Sequence, residues 1–180
     1  MFKVEKYYCV YKINDRCRSG VPRACFRVDN FLNTPSSIPK NIKKGEKVIE
    51  YIGDKVTKKE GDKRADKQIN KAKKNNNNGM VYVFELNKKY DIDGDVPYNN
   101  ARLINHSCDP NCEVEITDNH IWISSIKKIN KGSELSYNYG YSYDTDYIDH
   151  VCKCGSKKCV GYILDDTHWP KLKKELKKKK

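Results

Sequence analysis

The segment Asn105-His106-Ser107-Cys108-Asp109-Pro110-Asn111-Cys112, NHSCDPNC, concentrates hydrogen-bonding and metal-binding side chains in one short stretch. A surface turn needs no more than Asn, Asp and Pro. A buried segment would avoid so many polar groups, because each one costs free energy unless it is paired. We therefore expect this segment to bind something, and the rest of the chain should indicate what.

Length and composition predict one compact domain with polar appendages. The chain has 180 residues, of which 37% are hydrophobic and 33% are charged. It contains no apolar run long enough to span a membrane, and the N-terminal MFKVEKYYCVYKIN is too charged for a secretory signal. We therefore expect an intracellular protein without a membrane partner, whose eight cysteines are reduced thiols or metal ligands.

The net charge of +12 resides in two segments. Residues 55–78 hold nine basic and three acidic side chains, and residues 171–180 hold seven lysines and one glutamate, while the remainder is balanced. One interpretation is two solvated, helix-prone surfaces. The other is attraction to an acidic partner such as nucleic acid or chromatin.

The pattern along the chain is typical of a mostly β fold. Runs rich in β-branched and aromatic residues, or alternating in polarity, predict strands at 2–13, 47–52, 81–86, 113–117, 121–126 and 134–139. Asp118 and Asn119 predict the turn of a hairpin. Residues 57–74 and 165–177 suit helices, and residues 14–45 are rich in loop-forming residues.

A metal site is indicated near the C-terminus. Cys152, Cys154 and Cys159 form a C-x-C-x4-C pattern, which is typical of zinc ligands in a reducing compartment. A structural zinc takes four ligands, so the fourth has to come from elsewhere, and Cys108 and Cys112 are the two candidates. Unmetallated surface thiols are the alternative.

Three tyrosines alternate in the segment Glu134-Leu135-Ser136-Tyr137-Asn138-Tyr139-Gly140-Tyr141. Alternation places the three phenols on one face of a predicted strand. Core packing is the ordinary interpretation of such a strand, but each buried hydroxyl then needs a partner. A channel that surrounds an amine is the other use of so many phenols.

The order NHSCDPNC, then ELSYNYG, then C-x-C-x4-C resembles the SET-domain protein lysine methyltransferases that carry a post-SET zinc segment. Residues 41–53 are similar to the family's early strand pair, and the resemblance runs from about residue 18 to 163. It implies a mostly β SET-domain fold of short sheets, in which the NHSC and ELSYNY segments cross like a pseudoknot. S-adenosylmethionine would bind on one side of the fold, and the target lysine would enter a narrow channel from the other.

The resemblance also implies a division of the chain. Residues 1–17 would be an N-terminal strand, 18–142 the SET domain with a helical, basic insert at about 55–78, 143–164 the post-SET zinc segment, and 165–180 a basic tail. A nuclear or chromatin-associated location follows from the family's usual substrates, which are histones or other lysine-bearing proteins.

The resemblance assigns candidate residues to three roles. The catalytic residues would be Tyr139, Tyr51 as a wall of the lysine channel, and Tyr137; the cofactor would be held by Asn105, His106, Tyr82, Arg23 and Ala24; zinc would be bound by Cys108, Cys152, Cys154 and Cys159. Cys112 would then not be a ligand. A tyrosine at position 137 implies a preference for monomethylation.

One departure from the family pattern keeps other classes open. Pro22-Arg23-Ala24-Cys25-Phe26 stands where the family has G-x-G-[LF]-[FY], so both glycines are absent. This favours, as an alternative, a SET-like module with weak catalysis that binds basic tails or S-adenosylmethionine. The lysine tail favours a third possibility, a basic nucleic-acid-binding protein with a structural zinc.

The region around residues 80–95 is a candidate for substrate docking. The edge of the strand at 81–86 could accept an extended peptide by strand addition. Glu85, Asp91, Asp93 and Asp95 could attract a basic tail, or could simply be a solvated acidic turn.

Overall fold

A computed structural model describes residues 38, 40–74 and 81–178 of the chain. The predicted N-terminal strand at 2–13 and the cofactor candidates Arg23 and Ala24 lie outside the described residues. The strands are β1 (Lys47–Tyr51), β2 (Asp54–Thr57), β3 (Val83–Glu85), β4 (Tyr90–Asp93), β5 (Asn105–His106), β6 (Cys112–Thr117), β7 (His120–Ser125) and β8 (Ser136–Tyr137). The helices are α1 (Lys58–Lys74) and α2 (Trp169–Lys178), with 3-10 turns at Asn100–Leu103, Thr145–Asp149 and Asp166–His168.

The strands form three small sheets, as expected for a mostly β domain. Two are antiparallel, in the orders β1-β7-β6 and β2-β4-β3, and the third is the parallel pair β5-β8. The predicted hairpin of β6 and β7 is confirmed. Asp118 and Asn119 at its turn have φ of +53° and +60°, which the two-residue turns that suit twisted strands require.

The parallel pair β5-β8 joins the two segments that the sequence predicts to cross. Asn105 pairs with Ser136, and His106 pairs with Tyr137. Asn111 extends this pairing through its side chain, which donates to the Glu134 carbonyl at 2.7 Å and accepts from the Ser136 N–H at 2.9 Å. The amide therefore satisfies backbone groups that a longer strand would have paired, because β8 is shorter than the predicted strand at 134–139.

Helix α1 forms where the sequence predicts a polar helix that Thr57 opens. Residues 55–57 belong to β2, and the Thr57 hydroxyl accepts the Glu60 N–H at 3.4 Å as an N-terminal cap. The polar helix packs on β4 mainly through ion pairs, which explains how so few apolar residues anchor it. Neither described helix is long and apolar enough to cross a membrane.

Three of the acidic residues near 85–95 form ion pairs with helix α1, whereas Asp95 is exposed. The Lys58 ammonium lies 2.8 Å from a Glu85 oxygen and 2.6 Å from an Asp91 oxygen. Arg64 Nη1 lies 3.0 Å from a carboxylate oxygen of Asp93. Asp91 and Asp93 are buried, so α1 already neutralises the charges that were expected to attract a basic tail. The sequence did not show these ion pairs because the partner cations lie far away along the chain, and docking of a peptide at the edge of β3 stays a prediction.

The main core lies between the β1-β7-β6 sheet, the β5-β8 pair and α2. It combines aliphatic side chains such as Ile123, Leu135 and Leu164 with a group of buried tyrosines. A second, smaller cluster of Ala65, Val81, Tyr82 and Val83 lies under α1. The tyrosines of the main core define the region where a site is expected.

Candidate active site

An aromatic wall runs through the main core, composed of Tyr51, Phe84, Tyr137, Tyr139 and Tyr141. Successive ring centroids lie 4.8, 6.2, 5.0 and 6.2 Å apart in that order, and every ring is buried. The wall therefore brings together all three residues with predicted catalytic roles. Phe84 was not predicted as part of it, since its position depends on how β3 packs against β1.

Tyr139 is fixed by two hydrogen bonds. Its hydroxyl donates to the Ile104 carbonyl at 2.9 Å, and its backbone N–H donates to His106 Nδ1 at 3.2 Å. Because the hydroxyl proton is committed to Ile104, the phenol oxygen presents lone pairs to any other group that approaches it. Tyr139 is thus held with its oxygen as an acceptor.

Tyr51 is positioned by a loop that leaves no room for a side chain. Its hydroxyl donates to the Tyr82 carbonyl at 2.9 Å, and the Gly94 N–H donates to the same carbonyl at 2.7 Å. A Cβ atom at Gly94 would overlap the Tyr51 hydroxyl and the Asn99 amide. The glycine is therefore required by the close approach of its backbone to Tyr51.

The structure places Tyr82 apart from the cofactor candidates Asn105 and His106. Its ring is buried in the smaller cluster under α1, and the Arg102 guanidinium carbon lies 5.5 Å from the ring centroid. Tyr82 contacts the aromatic wall through its carbonyl group, which accepts the Tyr51 hydroxyl. Its predicted role in cofactor binding stays a prediction.

A polar cavity of about 130 Å³ lies between β5 and the cysteine-rich segment. Its lining residues are Asn105, His106, Ser107, Glu134, Ser136, Lys153 and Cys154. Whole small-molecule pockets have volumes of roughly 300–1,000 Å³, so this cavity fits one polar ring system rather than a complete nucleoside cofactor. Asn105 and His106 both line this cavity, and their predicted role in cofactor binding stays a prediction; Glu134 and Lys153 were not predicted as site residues, although Glu134 opens the ELSYNYG segment.

Four thiols converge beside this cavity. The sulfur atoms of Cys108, Cys152, Cys154 and Cys159 all lie within 4.8 Å of one another, and those of Cys108 and Cys152 are 3.7 Å apart. A tetrahedron of sulfurs about 2.3 Å from zinc has edges of about 3.8 Å, so the four thiols fit a structural zinc ion. Cys112 is buried outside this cluster, so the geometry favours Cys108 over Cys112 as the fourth thiol.

The thiols differ in their affinity for protons. A hydrogen bond from the Cys152 thiol lowers the pKa of Cys108 to about 3, whereas the same hydrogen bond and burial raise the pKa of Cys152 above its ordinary value. Burial raises the pKa of Cys112 to about 11, so this thiol stays protonated. A thiolate already present in the cluster is the state that a zinc ion needs.

His106 links the thiol cluster to Tyr139. Its Nδ1 atom accepts the Tyr139 N–H, so in the neutral ring the proton is on Nε2, which lies 3.5 Å from the Cys108 sulfur. The imidazole thus contacts a predicted metal ligand and the predicted catalytic tyrosine at once. These polar residues of NHSCDPNC therefore have partners within the fold. Asn105 and Asn111 donate hydrogen bonds to Glu134, His106 contacts both Tyr139 and Cys108, and Cys108 joins the thiol cluster.

Comparison with known proteins identifies the family to which this fold belongs. Residues 39–140 match the sequence profile of the SET domain. The chain therefore belongs to the SET-domain family, as its motifs indicate.

The relatives of known sequence are histone-lysine methyltransferases. The chain is 35% identical over 129 residues to "Histone-lysine N-methyltransferase trithorax" of Drosophila virilis, and the match covers 69% of this chain but 3% of the fly protein. It is 34% identical over 186 residues to "Histone-lysine N-methyltransferase, H3 lysine-9 specific KMT1" of Fusarium mangiferae, covering 86% of this chain and 52% of the fungal protein. The chain thus spans at most about half the length of these relatives.

A solved structure shares the fold. It was reported as "Structural basis for the product specificity of histone lysine methyltransferases", and it superimposes with a TM-score of 0.52 at 29% identity. The match covers 71% of this chain and 50% of that one. The predicted SET-domain fold is thereby confirmed for most of the described chain.

Proposed function

We propose that this protein is an S-adenosylmethionine-dependent protein-lysine N-methyltransferase. Its substrate would be a histone or another lysine-bearing protein, and its location would be nuclear or chromatin-associated. The observation that carries the proposal is the buried aromatic wall, in which Tyr139 is held beside the polar cavity at Asn105 and His106. Membership of the SET-domain family and the names of the relatives support it.

The cavity at β5 would receive the adenine ring of the cofactor. Asn105 and His106 would hold the ring largely through backbone groups, and Lys153 with Cys154 would close the cavity from the cysteine-rich segment. Arg23 and Ala24 would complete the site from outside the described residues, with Tyr82 contributing from its side of the fold. When bound, S-adenosylmethionine supplies an electrophilic methyl group on a sulfonium.

The aromatic wall would prepare the substrate amine. A lysine amine in water has a pKa near ~10.4, but only the neutral amine is a nucleophile. Desolvation among the buried rings of Tyr51, Phe84 and Tyr137 disfavours the ammonium and lowers this pKa. The wall would also confine the lysine to one direction of approach, which lowers the entropic cost of an in-line displacement.

Tyr139 would orient the reacting groups. Its oxygen acts as an acceptor because its proton is donated to Ile104. An acceptor at this point can hold the amine N–H and take weak C–H···O contacts from the polarised methyl group. The Tyr137 ring centroid lies 5.0 Å from that of Tyr139. The Tyr137 hydroxyl would bind a water molecule that blocks rotation of a methylated amine, and so would favour monomethylation.

The test is methyl transfer from labelled S-adenosylmethionine to core histones and nucleosomes. We expect label in a histone with the wild-type protein, and a loss of about 100-fold or more with Tyr139→Phe, in line with the typical contribution of a positioned catalytic group. Mass spectrometry of the product tests the methyl count: Tyr137→Phe should increase the proportion of dimethylated lysine at an unchanged site.

Two outcomes would contradict the proposal. If the Tyr139→Phe variant keeps full activity, the assignment of the catalytic tyrosine is wrong. If the folded, zinc-loaded wild type transfers no label to histones or to a lysine-rich peptide library, a calorimetric titration with S-adenosylmethionine decides between a binding module, which takes up the cofactor, and a protein that does not use it.

A further inference from the structure

Helix α2 has two sharply different sides. Leu172 is fully buried in the main core, and Trp169 and Leu176 pack against the same core. The five exposed positions between residues 171 and 178 are all lysine, namely Lys171, Lys173, Lys174, Lys177 and Lys178. At 3.6 residues per turn, these side chains occupy the half of the helix opposite Leu172, and we refer to them as the lysine face.

The lysine face is not neutralised within the part of the chain that the structure describes. None of its five ammonium groups forms an ion pair with a described carboxylate. Two of them lie near aromatic rings instead: Lys171 Nζ is 4.2 Å from the Tyr143 centroid, and Lys173 Nζ is 5.9 Å from the Trp169 centroid. The face thus presents unbalanced positive charge to solvent.

Helix α1 shows that basic composition alone does not produce such a surface. Its Lys58 and Arg64 are paired with carboxylates of neighbouring strands. Its exposed side mixes lysines with Asp62 and Asp66. The two basic segments look alike in sequence, but only α2 presents a surface of one sign.

Two kinds of partner fit the lysine face poorly. An amphipathic helix binds a lipid surface by inserting its apolar side, and the apolar side of α2 is already buried in the core. A histone tail is itself basic, so its charges would be repelled. The remaining class of partner is a polyanion that binds without apolar contact.

We propose that the lysine face of α2 binds the phosphate backbone of duplex nucleic acid without sequence preference. Lysine ammonium groups neutralise phosphates as point charges, and the face has no arginine to form the bidentate contacts that read bases. Lys171 places one border of the face at Tyr143, two positions after Tyr141 of the aromatic wall.

The test is fluorescence anisotropy of a labelled random-sequence DNA duplex over a series of salt concentrations. The full chain is compared with a triple variant, Lys173→Gln, Lys174→Gln and Lys177→Gln, chosen because glutamine keeps helix propensity. We expect the triple variant to bind about ten-fold or more weakly at ~0.1 M salt, with the salt slope reduced by roughly 2 to 3, since each lost phosphate contact removes about 0.9 from it.

A matched variant of α1 controls for net charge. Lys59→Gln, Lys63→Gln and Lys67→Gln remove the same number of exposed charges, and should leave the slope close to that of the wild type. Equal losses in the two triple variants, or no loss in either, would overturn the proposal, as would tighter binding to phosphatidylserine vesicles than to DNA. Because the assay needs no methyl transfer, its result is independent of the proposed enzymatic activity.

Discussion

At the scale of single residues, the position of Tyr51 in the candidate active site depends on Gly94. The glycine backbone lies against the Tyr51 ring, and both Gly94 and Tyr51 donate hydrogen bonds to the Tyr82 carbonyl. A methyl group at position 94 would have to displace Tyr51 or Asn99, both of which are buried. The position of Tyr51 in the proposed lysine channel thus requires that residue 94 has no Cβ atom.

We predict that Gly94→Ala destabilises the fold by about 1–3 kcal/mol, the usual cost of overpacking a core. The displaced Tyr51 should also lower kcat/KM for a lysine substrate by about ten-fold or more, which corresponds to about 1.4 kcal/mol of transition-state stabilisation. Urea unfolding and steady-state methyl transfer at a temperature where the variant is folded measure the two effects.

Gly45→Ala is the control for Gly94→Ala. Gly45 has φ of +78° with open space around its Cβ position, so alanine there costs about 1–2 kcal/mol of backbone strain without touching the aromatic wall. Its kcat/KM should stay at the wild-type value. A Gly94→Ala variant with unchanged kcat/KM would show that Tyr51 does not shape the reaction.

Individual site residues differ in how well the sequence predicts them. The spacing of the cysteines left both Cys108 and Cys112 open as the fourth thiol, and the roles predicted for Cys108 and Tyr139 came from the resemblance to SET-domain methyltransferases. Phe84 and Gly94 could not be identified, since their roles arise from contacts between β3, β1 and a loop that are distant in sequence. The aromatic wall and the glycine that positions Tyr51 therefore depend on tertiary contacts, which sequence patterns do not show.

At the scale of elements, helix α1 is attached to the β2-β4-β3 sheet by charge. Arg64 contacts Asp54 and Asp93 through Nη1, at 2.8 and 3.0 Å, and Glu60 through Nε at 3.3 Å. Gln68 adds a hydrogen bond to Asp93 at 3.0 Å and accepts the Tyr82 N–H at 2.8 Å. Helix α1 is therefore linked by hydrogen bonds to Tyr51, because Gln68 binds the Tyr82 N–H and the Tyr82 carbonyl accepts the Tyr51 hydroxyl.

We predict that Arg64→Met destabilises the protein by about 1.5–3 kcal/mol, the range for hydrogen bonds to charged groups. The loss arises mainly because the buried Asp93 carboxylate loses its cation. Adding Asp93→Asn to this variant should recover part of the stability, since a neutral amide costs less to bury. Thermal or urea unfolding of the single and double variants provides the measurement.

Lys63→Met is the comparison for Arg64→Met. The Lys63 side chain is 80% exposed and its pair with Glu60 spans 3.8 Å, so its loss should change stability by no more than about 0.5 kcal/mol. Similar effects of the two substitutions would mean that the contacts of Arg64 with the sheet contribute nothing specific.

Some secondary-structure elements could be predicted from the sequence and others could not, and the difference has a physical cause. The hairpin of β6 and β7 and helix α1 follow from local turn and capping residues. Strands β2 and β4 were missed because their Asp and Lys residues are unusual in strands, and because they become buried only when α1 supplies counter-charges. Local patterns cannot show a partner about 30 positions away.

At the scale of the whole molecule, the thiol cluster joins the middle of the chain to its C-terminal segment. We predict that Cys108→Ala abolishes zinc binding and lowers both thermal stability and methyl transfer, because His106 loses its sulfur partner and the cysteine-rich segment loses its attachment. Elemental analysis after gel filtration, together with thermal unfolding, measures these effects. A chelator should lower the melting temperature of the wild type but not that of the variant.

Cys112→Ala tests the identity of the fourth ligand. Cys112 lies near Cys108 in sequence and is equally buried, but it stands outside the cluster. The variant should keep one zinc ion and lose only about 1 kcal/mol from the smaller apolar group. Loss of zinc from Cys112→Ala, or its retention by Cys108→Ala, would refute the ligand set.

The thiol cluster joins Cys108 to cysteines that are translated later. The order of synthesis therefore determines when the cluster can form. Cys108 leaves the ribosome before Cys152, Cys154 and Cys159 have been translated, and β5 likewise precedes its partner β8. At ~5–20 residues per second, several seconds separate the first ligand from the last. During that interval the nascent chain has no closed cluster and no paired β5, so the polar cavity that Lys153 and Cys154 help to line cannot form until translation has passed Cys159.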